Sequence, residues 1–202
     1  GLLPNVSVLR WDQDVAATRQ SDESSIDRFS RGGAQVLVGT QMVAKSLHIP
    51  SVTLVGVVLA DIGLHLPDFR SAERMFQTLC QVVGRAGRGP DYGVAIIQTY
   101  RPDYYGVILA AKQDYSGFFL QEQAFRQTHR LPPFSRLIHL VFGHTNESKS
   151  RKEAERLGSE LRYQCNVWDM VEVDVIGPAP AYPSRIRGRY RWHMLVRGPN
   201  PR

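Results

Sequence analysis

The 202 residues are 43% hydrophobic and 22% charged, a globular composition that excludes intrinsic disorder and allows one large domain or two small ones. No apolar run approaches the roughly 18 residues of a membrane span, and no secretory signal opens the chain, so a cytosolic protein without a membrane partner is expected. Two distant cysteines, Cys80 and Cys165, exclude a cysteine-rich zinc site within the chain and are read as buried free thiols. The net charge of +6 is uneven: residues 1–130 hold 13 basic against 12 acidic side chains, residues 131–202 hold 12 against seven, and no acid follows Asp174. Such a tail favours a polyanionic partner, nucleic acid first. The chain opens on Gly1, as a processed or truncated product would.

In chain order, Val6 to Arg10 alternates like a strand. Ser21-Asp22-Glu23 offers an N-cap and acidic first turn for a helix to about Ser30, stopped by Gly32-Gly33. Gln35 to Gly39 reads as a short strand, Gln41 to Ser46 as a short helix closed by Pro50, and Val52 to Ala60 as a strand buried on both faces. Ser71 to Val83 carries Ala72, Met75, Phe76, Leu79, Val82 and Val83 at helical spacing. A Gly-rich loop with two arginines, Gly84 to Gly93, leads to a strand over Gly93 to Thr99. Strands alternating with helices predict a parallel sheet with right-handed crossovers.

Two helices follow, Tyr104 to Lys112 and Tyr115 to about His129, before Leu131-Pro132-Pro133 marks a boundary. Beyond it come a strand (Arg136 to Phe142), a charged, solvated helix (Glu147 to about Gln164) and strands near Glu172 to Ile176 and Tyr190 to Arg197. Gly177 to Pro183, with its three prolines, reads as extended or turn-like. The expected organisation is an α/β lobe in residues 1–115, a helical connector in 116–130 and a small α+β domain in 131–202.

The richest chemistry lies in Gln81-Val82-Val83-Gly84-Arg85-Ala86-Gly87-Arg88-Gly89. Two arginines among glycines follow a helix. Glycine admits close backbone approach, and guanidinium groups offer planar, permanent positive charge to a transferring phosphoryl group. A basic surface loop is the plainer alternative. In the tail, Arg185, Arg187, Arg189 and Arg191 alternate with Ile186, Gly188, Tyr190 and Trp192. In an extended chain this puts all four arginines on one face, fit to follow a phosphate backbone; Tyr190 and Trp192 then pack in the core or stack on bases. Arg70, Glu73 and Arg74 suit a helix-surface ion-pair set. The six histidines show no H-x-x-x-H pairing, so no metal site is expected.

The Q-x-x-G-R-A-G-R pattern is similar to motif VI of superfamily 2 helicases, and Val36 to Lys45, with Gly39-Thr40-Gln41, resembles their motif V. Together with Asp68 to Arg74, Leu131-Pro132-Pro133-Phe134, Gly177 to Ala181 and Arg187-Gly188-Arg189-Tyr190-Arg191-Trp192, nearly the whole chain resembles the C-terminal portion of the primosomal protein N′ family of replication-restart helicases. The resemblance implies a second RecA-like lobe followed by a small α+β DNA-binding domain. It implies ATP and Mg²⁺ shared with a first lobe, with Arg85, Arg88 and Gln81 at the phosphates. Gly39, Thr40, Gln41, Asp61 and Gly84 fall on the nucleotide side, and Thr40 and Lys45 at DNA or relay contacts. Two positions depart from the common motif V: Ser46 replaces a glycine, and His48 stands where an acid often contacts the sugar.

The resemblance also implies 3′→5′ unwinding of forked or single-stranded DNA, with primosome proteins and single-strand-binding protein as partners. The family's zinc-binding insertion lies upstream, and this chain has no zinc site. The sequence contains no G-x-x-x-x-G-K-[ST] loop and no acidic D-E-x-H box; the first lobe, and even the first strand of the second, are expected to be missing. The chain alone is therefore expected not to hydrolyse ATP. Another superfamily 2 translocase, such as a branch-migration helicase, and a stand-alone nucleic-acid-binding module remain as alternatives.

Overall fold

The structure is a computed structural model that describes residues 5–11, 27–40, 51–65, 67–86 and 93–199. The chain divides into two units, residues 1–65 with 70–118 and residues 66–69 with 119–202. The expected short helix over Gln41 to Ser46 and most of the helix beginning at Ser21 lie outside the described residues.

In the first unit, β1 (Val8–Trp11) pairs in parallel with β2 (Val36–Gly39), Val8 opposite Val36 and Trp11 opposite Gly39. Residues 27–30 are helical. Gly32, at φ +78°, ends that helix: the Gly32 N–H donates to Phe29 O and the Gly33 N–H to Arg28 O, the paired bonds of a left-handed glycine stop. A second parallel pair joins β3 (Leu54–Val57) to β4 (Val94–Ile97). The expectation that this strand is buried on both faces does not hold. Val55 and Val57 turn inward, but Leu54 is 60% and Val58 77% exposed. β-branched composition marks strand geometry without marking what covers the second face.

Helix α1 (Ser71–Val83) matches its predicted span, and its Met75, Phe76 and Leu79 are buried. They cluster with Val107 and Ala110 of α2 (Tyr105–Ala111) and with Phe118 near the start of α3 (Tyr115–Thr128). The Phe76 and Phe118 rings stack at 4.0 Å. Each of the larger side chains contributes about 1.5–3 kcal/mol by leaving water, so this cluster holds α1 in place.

The second unit is a three-stranded antiparallel sheet in the order β5-β7-β6, built from β5 (Arg136–His144), β6 (Asp174–Ile186) and β7 (Arg189–Gly198). Helix α4 (Glu147–Val167) connects β5 to β6, and its N-cap Asn146 accepts from the Lys149 N–H at 3.0 Å. Its buried face is Ser150, Ala154 and Gly158. These small residues admit close packing: a Cβ on Gly158 would lie 3.3 Å from Pro178 Cδ and 3.6 Å from Met194 Cε. The opposite face is solvated, with Arg151–Glu155 and Arg156–Glu153 ion pairs.

The proline-rich stretch is part of β6, one continuous edge strand with register shifts between Ile176 and Ala179 and between Pro180 and Arg185. An edge position tolerates proline because one side of the strand needs no ladder donor.

Candidate functional sites

Two groups of predicted residues are placed, one in each unit. In the first, Gly39 and Thr40 close β2, and Thr40 is exposed. At the far end of α1, Gln81 and Arg85 lie one helical turn apart. Gly84 caps the helix with its N–H on Cys80 O, and the Arg85 N–H donates to Val82 O at 3.0 Å. Gly84 has a right-handed φ of −67°, so no special backbone angle calls for glycine there. Gln41, Lys45, Ser46, His48 and Arg88 lie outside the described residues. At the start of α1, Arg70 and Glu73 form an ion pair at 3.1 Å.

Asp61 has a structural employment that the sequence did not foresee. It is 3% exposed, in a 3-10 stretch over Ala60–His65. Its carboxylate accepts from the Thr99 hydroxyl at 2.7 Å and from the Tyr100 N–H at 2.9 Å. The side chain thus ties the exit of β3 to the exit of β4. Cys80, beside the same core, is a free thiol whose pKa burial raises.

In the second unit, the four alternating arginines do not share one face. Arg187 (φ +48°) and Gly188 (φ +76°) form a two-residue turn in which Ile186 pairs with Arg189 and Arg185 with Tyr190. Positive φ at both central residues is the hairpin signal, and it stands in the middle of the run where alternation assumes an extended chain. Arg185 lies on the face of Tyr190, its Cζ 4.9 Å from the ring centre. That face also carries Trp192 and Met194, against which α4 packs: Arg151 lies over Trp192 and Gly158 beside Met194. Trp192 is thereby placed in packing.

The other face of β7 presents Arg189, Arg191 and His193 in succession. Arg189 donates to Gly143 O at 3.0 Å and Arg191 to Pro183 O at 3.2 Å. His139 of β5 meets His193 across the strands, Nε2 to Nδ1, at 3.0 Å. Burial lowers the His193 pKa, helped by His139 and Arg191. No spacing along the chain finds this pair, because only the β5–β7 register brings residues 54 positions apart together. Among the described residues no group of three or more His, Cys, Asp or Glu could hold a metal ion, and no helix is long and apolar enough to cross a membrane.

Residues 127–202 match the primosomal protein N C-terminal domain, and residues 5–90 match the helicase conserved C-terminal domain. The chain matches the C-terminal portion of the primosomal protein N′ family. Among its relatives, a replication restart protein PriA of Bacillus subtilis is 39% identical over 97% of this chain and 24% of its own length. That of Synechocystis is 42% identical over 98% and 23%, and that of Treponema pallidum 39% identical over 98% and 30%. The chain thus spans less than a third of the length of these relatives. The first unit is accordingly a RecA-like second helicase lobe, and the second the family's small α+β domain.

Proposed function

We propose that this chain supplies the second motor lobe and a DNA-binding domain to an ATP-dependent 3′→5′ DNA helicase that acts in replication restart at stalled forks. The observation that carries the reading is the pairing of Gln81, Gly84 and Arg85 at the end of α1 in a helicase lobe with an arginine-bearing sheet face in the neighbouring domain.

The residues of the lobe fit one side of a nucleotide site. Arg85, with Arg88 three positions on, offers guanidinium charge to a γ-phosphate, and Gln81 offers an amide beside it. Such arginines are worth about 10³ to 10⁵ in rate when they meet the transferring phosphoryl group. ATP with Mg²⁺, when bound, supplies the phosphoryl transfer. The sequence contains no lysine-bearing phosphate loop and no acidic box for the metal, so those would come from a first lobe. On the DNA side, Thr40 and Lys45 are assigned to coupling nucleotide to strand, and Arg187, Arg189 and Arg191 to phosphates, while Arg185 stands on the opposite face of the sheet with Tyr190. Primosome proteins and single-strand-binding protein are the partners this reading implies.

The test has two arms. This chain is expected to bind labelled forked and single-stranded DNA in an anisotropy titration and to release phosphate from ATP only at background. In a full-length relative, substitution of the arginine that matches Arg85 by alanine is expected to abolish DNA-stimulated hydrolysis while leaving DNA binding intact. Phosphate release by this chain that is DNA-dependent and sensitive to Arg85→Ala would overturn the division of labour. DNA binding without any effect of the arginine in the full-length relative would favour a nucleic-acid-binding module.

A further inference from the structure

The helix-free face of the β5-β7-β6 sheet carries a feature that the arginines alone do not explain. His139 and His193 face each other across β5 and β7 with ring nitrogens 3.0 Å apart and ring planes at 76°. At that distance one nitrogen donates and the other accepts, so the undisturbed pair shares one proton in one hydrogen bond. Among the described residues, nothing bonds to His139 Nδ1 or His193 Nε2.

The surroundings are one-sided in charge. On β7, Arg189 and Arg191 precede His193 on the same face, and Arg197 follows. On β5, the residues that share the face are Leu137, Val141 and Gly143, with His139 the one titratable group. On β6, Ile176 and Ala179 stand opposite Leu195 and His193. The acid on this face is Asp174, at the far end, where Arg197 holds it at 2.7 Å and Arg130 at 3.5 Å. Between Arg189 and His193 the face therefore carries cationic or protonatable groups, none of which forms an ion pair among the described residues. This row is about 14 Å long at the rise of an antiparallel strand, while a DNA strand offers one phosphate per about 3.4 Å of duplex axis. Gly143 adds room: a Cβ there would meet Arg189 Nε at 3.7 Å, so the guanidinium lies over a position without a side chain.

We propose that His139 and His193 form a proton-linked phosphate contact, so that DNA bound along the Arg189–Arg191 row takes up a proton from solvent at the histidine pair. The inference rests on the DNA-binding reading above. Without an anion, the second proton is resisted, because two imidazolium rings 3 Å apart would turn donors toward each other beside Arg191. Burial and these same neighbours hold His193 below its ordinary range. A phosphodiester oxygen placed at the pair offsets that resistance: its negative charge favours the imidazolium form, and both rings can donate to it. By linkage, a proton taken up on binding makes affinity rise as pH falls, most steeply across the histidine range.

The experiment is an anisotropy titration of the whole chain with a labelled single-stranded oligonucleotide, at constant ionic strength, between about pH 8 and pH 5.5, the range in which histidine titrates. Affinity is expected to rise by up to about tenfold per pH unit below neutrality, the limit for one linked proton. In the His139→Gln/His193→Gln protein that slope is expected to flatten while the salt dependence stays. In Arg189→Ala/Arg191→Ala, affinity is expected to drop and the salt slope to shrink by about 0.7 per lost contact, with the pH slope retained. A parallel measurement needs no variant: the His193 imidazole resonances of the unaltered chain are expected to titrate at higher pH once the oligonucleotide is added. A pH slope that survives the double glutamine change, with no shift of the His193 titration, overturns the proposal and leaves DNA binding standing. No binding at any pH overturns both.

Discussion

Replacing Asp61 with alanine tests whether that carboxylate is a structural tie. The side chain is 3% exposed and accepts from the Thr99 hydroxyl at 2.7 Å and the Tyr100 N–H at 2.9 Å. Hydrogen bonds to a charged group contribute about 1.5–3 kcal/mol, and a buried donor left unpaired costs about 1–3 kcal/mol. Both donors are partly buried, so water compensates in part, and a net loss of about 3 kcal/mol is expected for Asp61→Ala. Asp61→Asn should cost less, about 1–2 kcal/mol: its oxygen can still serve Tyr100, and the Thr99 hydroxyl can rotate to accept from the amide. With a urea m-value of about 2 kcal/mol/M, the alanine change lowers the midpoint of the lobe by about 1.5 M. Hydrogen exchange read on peptides covering β3, β4 and their exits assigns the transition to the first unit. An unchanged midpoint, with weakened nucleotide binding in a full-length protein instead, would refute the structural tie and make Asp61 a ligand group.

Three further outcomes follow from the packing and the charges. Leu79→Ala, at a residue 2% exposed in the α1–α2–α3 cluster, is expected to cost about 2–5 kcal/mol, measured by denaturation of the first unit. Gly188→Val is expected to cost about 1–2 kcal/mol by left-handed strain alone, since its φ is +76° and nothing lies within 4 Å of a Cβ there; a silent substitution in thermal unfolding would show that the turn rearranges freely. His193 has its pKa lowered in the folded state, so the folded form binds its proton more weakly than the unfolded chain. Its stabilisation is present above the ordinary histidine range and is lost as pH falls through it. The melting temperature of the DNA-free chain should therefore fall on acidification, and less so in His193→Gln.

Much of this molecule is legible from residue order. The helical spacing of Met75, Phe76 and Leu79 marks α1 to the residue, because one apolar stripe must face a core whatever surrounds it. Gly32-Gly33 stops its helix through a backbone angle that glycine reaches without cost. The pattern from Gln81 to Gly89 resembles a helicase lobe because it is local to one helix end, and residues 5–90 match the helicase conserved C-terminal domain. The basic surplus after residue 131 likewise depends on composition alone.

What the sequence could not decide required partners distant in the chain. Leu54 and Val58 read as buried because β-branched runs fit sheets, yet coverage depends on what packs above them. Asp61 reads as the end of a strand, and only the parallel register of β3 with β4 brings Thr99 and Tyr100 to its carboxylate. The four arginines read as one row, but the Arg187-Gly188 turn sends Arg185 to the helix-covered face and leaves Arg189 and Arg191 with the histidines. That sorting, and the meeting of His139 with His193, belongs to the tertiary structure. A side chain's face is local to its strand, whereas its neighbours are fixed by pairings that sequence periodicity does not encode.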